Sequence, residues 1–116
     1  MSSWGISNED EGTTATVVRR RNHLIVGTRS PADRFLWLEY IIESPQLMKI
    51  ITKEIRIDVG NNKNITQVNA YDQTSDGTGA YATLISGGPG FQHVELRFVS
   101  QIGGKIYFVV ELYGKN

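Results

Sequence analysis

Between residues 49 and 59, Ile51, Ile55, Ile57 and Val59 alternate with Thr52, Glu54, Arg56 and Asp58. This is the period of two that turns successive side chains to opposite faces of a strand. Residues 92–100 repeat the pattern, with Val94, Leu96 and Phe98 on one side and His93, Glu95 and Arg97 on the other. Each segment predicts a half-buried strand. Residues 106–113 differ: Ile106, Phe108, Val110 and Leu112 line one face, while Tyr107, Val109 and Tyr113 make the second face largely apolar too. That pattern predicts a strand covered on both sides.

Residues 30–43 carry two patterns. Ser30-Pro31-Ala32-Asp33 has the form of a helix start with proline in the first turn, and Phe35, Leu38, Ile41 and Ile42 fit a helical stripe. Against this, Phe35, Trp37, Tyr40, Ile41 and Ile42 favour extended backbone, and Leu36, Leu38, Tyr40 and Ile42 alternate until Ser44-Pro45 closes the element. A strand is the expectation. Asp76-Gly77 and Gly103-Gly104 lie between strand-like runs, where tight turns need positive φ; each predicts a hairpin joining the strands on either side.

Residues 1–16 hold only Trp4 and Ile6 as sizeable apolar groups, and Arg19, Arg20 and Arg21 follow as a solvated cationic stretch. The expected organisation is therefore a flexible N-terminal arm over residues 1–22 and a single β domain over 23–116. Its fold class is all-β, an antiparallel β-sandwich or flattened barrel of about seven strands.

Composition narrows the chemistry. The chain has 116 residues, 40% of them hydrophobic, which suffices for one packed core. Twelve basic and twelve acidic side chains cancel. The molecule as a whole therefore has no electrostatic attraction to nucleic acid or to an anionic membrane, and neither is an expected partner. With no cysteine there is no disulfide, thiolate nucleophile or cysteine-ligated metal. Apolar stretches end well short of the roughly 20 residues that span a bilayer. The first residues lack the succession of a signal peptide, which an intracellular protein and a processed secreted one would both lack.

Tyr71-Asp72-Gln73, Gly77, Gly79 and the string Ala80-Tyr81-Ala82-Thr83-Leu84-Ile85-Ser86-Gly87-Gly88-Pro89-Gly90-Phe91 resemble the multiprotein bridging factor 2 family of insects. The resemblance runs on through Val94, Leu96, Phe98, Ser100-Gln101 and Gly103 to Tyr113, and back to Gly27-Thr28-Arg29 and Asp33-Arg34. It covers residues 24–114 and leaves the arm outside. The founder of that family is described as a transcriptional co-activator linking an activator to the general transcription machinery, whereas many relatives are secreted haemolymph, salivary or gut proteins. The resemblance transfers no catalytic residue. It implies an extracellular binding protein linked to defence or physiology, with a nuclear or cytoplasmic co-activator as the alternative.

The candidate sites are few. Ser86, Gly87, Gly88, Pro89, Gly90 and Phe91 could form a ligand or partner loop, glycine amides approaching an anion while Phe91 stacks on a ring. The string lacks the Gly-Lys-Ser/Thr ending of a phosphate loop, and the structural alternative is a wide connection with glycine-imposed angles. Asn64-Ile65-Thr66 is an N-glycosylation acceptor beside a turn. Val99, Tyr107, Val109 and Tyr113, joined by Phe35 and Trp37, form a candidate apolar interface, to be covered internally or used for self-association, a protein partner or a small apolar ligand. A triad of Ser86, His93 and Asp72 or Asp76 lacks the Gly-x-Ser-x-Gly elbow. His23 and His93 have no metal-ligand spacing. No catalytic residue, metal or cofactor is expected.

Overall fold

The computed structural model describes residues 17–18 and 22–116; the expected arm falls largely outside them. The strands are β1 (Val17–Val18), β2 (Leu24–Gly27), β3 (Arg34–Glu43), β4 (Thr52–Asp58), β5 (Asn64–Asp72), β6 (Tyr81–Gly87), β7 (His93–Val99) and β8 (Ile106–Lys115). They form a five-stranded sheet in the order β1-β2-β5-β8-β3 and a three-stranded sheet in the order β4-β7-β6. Every pair is antiparallel. The fold is an open sandwich, and the flattened-barrel alternative drops out because neither sheet closes. β1 pairs with β2 through Val17 and Val18, so the first sheet begins inside the segment expected to be an arm.

Alternation builds the core. Val94, Leu96 and Phe98 on β7 face Ile106, Phe108, Val110 and Leu112 on β8, all at 0% exposure, and the rings of Phe98 and Phe108 meet with centroids 5.0 Å apart. Leu24, Val26, Ile65, Val68 and Ala70 extend this layer on the larger sheet, and Ile57 and Ala82 extend it on the smaller. Stability without sulfur bridges thus rests on apolar area removed from water between two sheets.

Residues 34–43 are strand, as the composition favoured. The segment before it is a turn in which the Asp33 N–H donates to the Ser30 carbonyl at 3.0 Å. The two predicted hairpins are corrected. Gly77 and Gly103 do take positive φ, 85° and 71°. Yet the Asp76-Gly77 turn carries the chain from β5 in one sheet to β6 in the other, and Gly103-Gly104 carries it from β7 to β8, again between sheets. Turn residues report local backbone angles, and the partner of each strand was chosen by burial. The tight β6–β7 connection instead spans residues 88–92, within the glycine-rich string. The expectation that β8 is covered on both faces also gives way, since Tyr107 is exposed and Val109, Glu111 and Tyr113 are half-buried.

Candidate functional site

The residues that make the sequence distinctive are spent on two clasps, one at each end of the sandwich. At the first, Gly27 ends β2 with φ of 91°, and a Cβ there would collide with the Thr66 carbonyl oxygen and lie 2.7 Å from Pro89 Cγ. The 88–92 turn is docked on β5: the Gly90 N–H donates to the Ile65 carbonyl at 2.8 Å, and the Ile65 N–H donates to the Phe91 carbonyl at 2.9 Å. Within the turn the Gly88 N–H donates to the His93 carbonyl and the Phe91 N–H to the Gly88 carbonyl. These amides are therefore already bonded within the protein, and they do not form an open cradle for an anion.

Asp33 locks the same end. Its carboxylate accepts hydrogen bonds from the Ser30 N–H (2.6 Å), Arg29 Nε (2.7 Å) and the Thr66 hydroxyl (2.9 Å). Burial pushes this carboxyl up, but the bonds from Ser30, Arg29 and Thr66, with the Arg29 charge, outweigh it and hold the group below its ordinary value of 3.8. Arg29 in turn lies over the Tyr113 ring, 3.8 Å from its centroid.

At the opposite end, Asp72 accepts from the Thr74 N–H at 2.9 Å and packs on Gly79, where any side chain would strike the carboxylate. Gln101 Nε2 reaches the carbonyls of Gly77 (3.0 Å) and Gly79 (3.1 Å). His23 Nδ1 accepts from the Asp72 N–H at 2.9 Å.

Ser86 Oγ and His93 Nε2 are hydrogen bonded at 3.1 Å. Asp72 and Asp76 do not join them: Asp72 packs on Gly79 and Asp76 bonds Thr78, both before the start of β6, while Ser86 and His93 lie at its end. His23 precedes β2 in the other sheet. Asn64 opens β5 with its side chain exposed, and the hydroxyl of Thr66, two residues on, is engaged by Asp33.

The six expected interface residues divide among three places. Phe35, Tyr107, Val109 and Tyr113 share the outer face of the five-stranded sheet, where Phe35 and Tyr113 meet edge to face at 5.8 Å. Val99 lies on the outer face of the other sheet, opposite Thr52 and Tyr81. A bulge between Phe35 and Trp37 reverses the phase of β3, so Trp37 stands opposite the core residue Leu112 and turns inward at the sandwich edge. There its Nε1 donates to Glu39 Oε1 at 2.9 Å.

The same bulge turns Leu38, Tyr40 and Ile42 outward, at 45%, 60% and 62% exposure, opposite Glu111, Val109 and Tyr107 of β8. Leu36 alternates with these three in the sequence, but it packs against the core, because the phase of the strand shifts at the bulge. Between Leu38 and Ile25 on this face lie Glu111 and Asn69, register partners. Asn69 Nδ2 donates to Gln67 Oε1, and its buried Oδ1 has no hydrogen-bond partner among the described residues. Burial, then the Glu111 charge and Tyr113, push the neighbouring Tyr71 phenol up.

A cleft of 470 Å³ opens between the free edges of β3 and β4, lined by Trp37, Glu39, Ile41, Glu43, Lys53 and Ile55 among others. Lys53 Nζ and Glu43 Oε2 face each other at 3.7 Å. Lys53 is in phase with Ile51, Ile55 and Ile57 in the sequence, whereas Glu39 and Glu43 are seen to face inward only from the pairing of β3 with β8. Leu47, Met48 and Ile102 form a further exposed apolar group on the connecting loops that periodicity did not single out.

Residues 26–114 match the family model described as "Transcription activator MBF2". A "Probable salivary secreted peptide" from Bombus ignitus is 37% identical over 101 residues, covering 87% of this chain and 75% of that protein. No solved structure matches the chain.

Proposed function

The chain belongs to the MBF2 family, and on that premise we propose that it is a small, secreted, non-enzymatic protein that binds a protein partner on the outer face of its five-stranded sheet. The carrying observation is the outward row Leu38, Tyr40 and Ile42, which remains exposed while Ile41 on the other side of the strand is buried in the core. A fold does not require such a contiguous apolar strip in water, and strips of this kind mark contact surfaces. The salivary secreted relative supports an extracellular setting. The exposed Asn64 supports the same setting, since a glycan there meets no burial penalty.

The absence of catalysis is supported by the site chemistry. The Ser86–His93 pair has no carboxylate from Asp72 or Asp76, and the neighbouring amides of Gly88, Gly90 and Phe91 are bonded within the fold. The family description favours one other reading, an intracellular co-activator that bridges an activator and the transcription machinery. Expression of the full open reading frame in insect cells separates the two. Recovery from the medium, with a mass increment removed by Asn64→Gln, is the expected result; retention in the nucleus or cytoplasm would overturn secretion in favour of the co-activator.

A further inference from the structure

β3 pairs with β8 along one edge, and among the described elements nothing pairs with the other. An open edge exposes backbone N–H and C=O groups that template another strand, and proteins commonly blunt it with outward charge, proline or brevity. β4 follows that rule, with Glu54, Arg56 and Asp58 outward. β3 carries inward charges at Glu39 and Glu43 and a bulge after Phe35, but it is ten residues long, and its outward side chains beyond the bulge are the apolar Leu38, Tyr40 and Ile42.

We propose that β3 is a self-association edge, on which two copies pair antiparallel about a two-fold axis at Tyr40 and join their five-stranded sheets into one. This rests on the binding reading above and names the partner as a second copy. Isologous pairing is the commonest way for one surface to complete itself.

Charge selects the register. Side chains alternate, so only shifts of two residues keep outward groups beside outward groups. Centring the pair on Ile41 sets Glu39 against the partner's Glu43 twice, and centring it on Glu39 opposes two glutamates; like charges placed directly opposite are destabilising. Centring nearer either end shortens the pair, against the bulge after Phe35 or against Pro45. Centring on Tyr40 sets Leu38 against the partner's Ile42 and Tyr40 against the partner's Tyr40. On the inward side it sets Glu39 against the partner's Ile41 and Trp37 against the partner's Glu43, a carboxylate already facing Lys53. The outward strip then runs unbroken from Val109 and Tyr107 of one copy to those of the next.

The chain has no cysteine, so a single introduced thiol has only its symmetry mate to react with. Directly opposite residues in an antiparallel pair lie about 4.5–5.5 Å apart between Cα atoms, within disulfide range. Under mild oxidation, Tyr40→Cys is expected to form a covalent dimer. Leu38→Cys alone should remain monomeric, and an equimolar mixture of Leu38→Cys and Ile42→Cys should cross-link. In sedimentation velocity the unmodified chain should show a dimer fraction rising with concentration, and Ile42→Lys should lower the association constant about tenfold or more with an unchanged circular-dichroism spectrum. A chain that stays monomeric up to roughly 0.5 mM overturns the proposal. So does a Tyr40→Cys protein that cross-links only with Ile42→Cys, the register centred on Ile41. A secreted monomer removes this inference and leaves the secretion reading standing, whereas a dimer confined to the cell does the reverse.

Discussion

β3 and β4 flank the same cleft, one free edge from each sheet, and their inward sides are built alike. Ile41 on β3 and Ile57 on β4 are 3% and 4% exposed, and each strand also turns a charge inward at the mouth, Glu43 and Lys53. Their outward sides are opposites. β4 presents Glu54, Arg56 and Asp58, the first two in cross-strand pairs with Arg97 (2.7 Å) and Glu95 (3.7 Å), while β3 presents Leu38, Tyr40 and Ile42. The inward side of a strand answers to the core and the outward side answers to whatever meets it, so two edges with equal inward demands separate on the outside. The apolar outward side of β3 is the feature that folding leaves unexplained.

The largest test concerns the shared inward role. Ile41→Ala and Ile57→Ala are each expected to cost about 2–5 kcal/mol, measured by urea denaturation. A loss at Ile57 with none at Ile41 would show that β3 is a loosely added strand and break the comparison at its base.

The second test uses acid, because the strands are anchored by different chemistry. β3 is held at its start by the Asp33 carboxylate, whereas β4 is held by the Ser100 hydroxyl and the Ile51 and Ser100 backbone, none of which titrates. The folded Asp33 carboxyl lies below its unfolded value of 3.8. Its contribution is thus fully present above that value and is lost as pH falls through the lowered folded value. Amide exchange should accelerate at the start of β3 in that window and not in β4, and Asp33→Asn should abolish the difference. Equal acceleration in both strands would contradict the anchor.

Smaller effects sharpen the outward contrast. Removing the exposed Glu54–Arg97 pair by Arg97→Ala should cost no more than about 1 kcal/mol, in keeping with a solvated ion pair. Ile42→Ser should change monomer stability by less than about 0.5 kcal/mol, measured in dilute solution, because Ile42 is 62% exposed and supports little of the fold. A multi-kcal/mol loss at Ile42 would mean that the strip is structural and remove its claim to be a contact surface.

The chain was legible where the structure depends on one strand at a time. The alternations at residues 51–59 and 93–99 place Ile57, Val94, Leu96 and Phe98 inward as read. The Ser86–Phe91 string was recognisable as distinctive, but its position as a turn docked on Ile65 was not, since the residues it bonds lie more than twenty positions away. The candidate interface mixed Val99, Trp37 and Tyr113 because parity counted along one strand carries no information about which sheet that strand joins, and a one-residue bulge reverses it.

By itself, then, the sequence determined the all-β class, the inward sets of β4, β7 and β8, the positive φ at Gly77 and Gly103, and a recognisable family pattern. Each follows from dihedral preference or from spacing along a few neighbouring residues. Only the tertiary structure decided which strands pair, that the turns after β5 and β7 change sheets, and which side of β3 became core. Those choices compare burial across the whole domain, and for β3, whose apolar row faces out and whose glutamates face in, the difference lies in its neighbours.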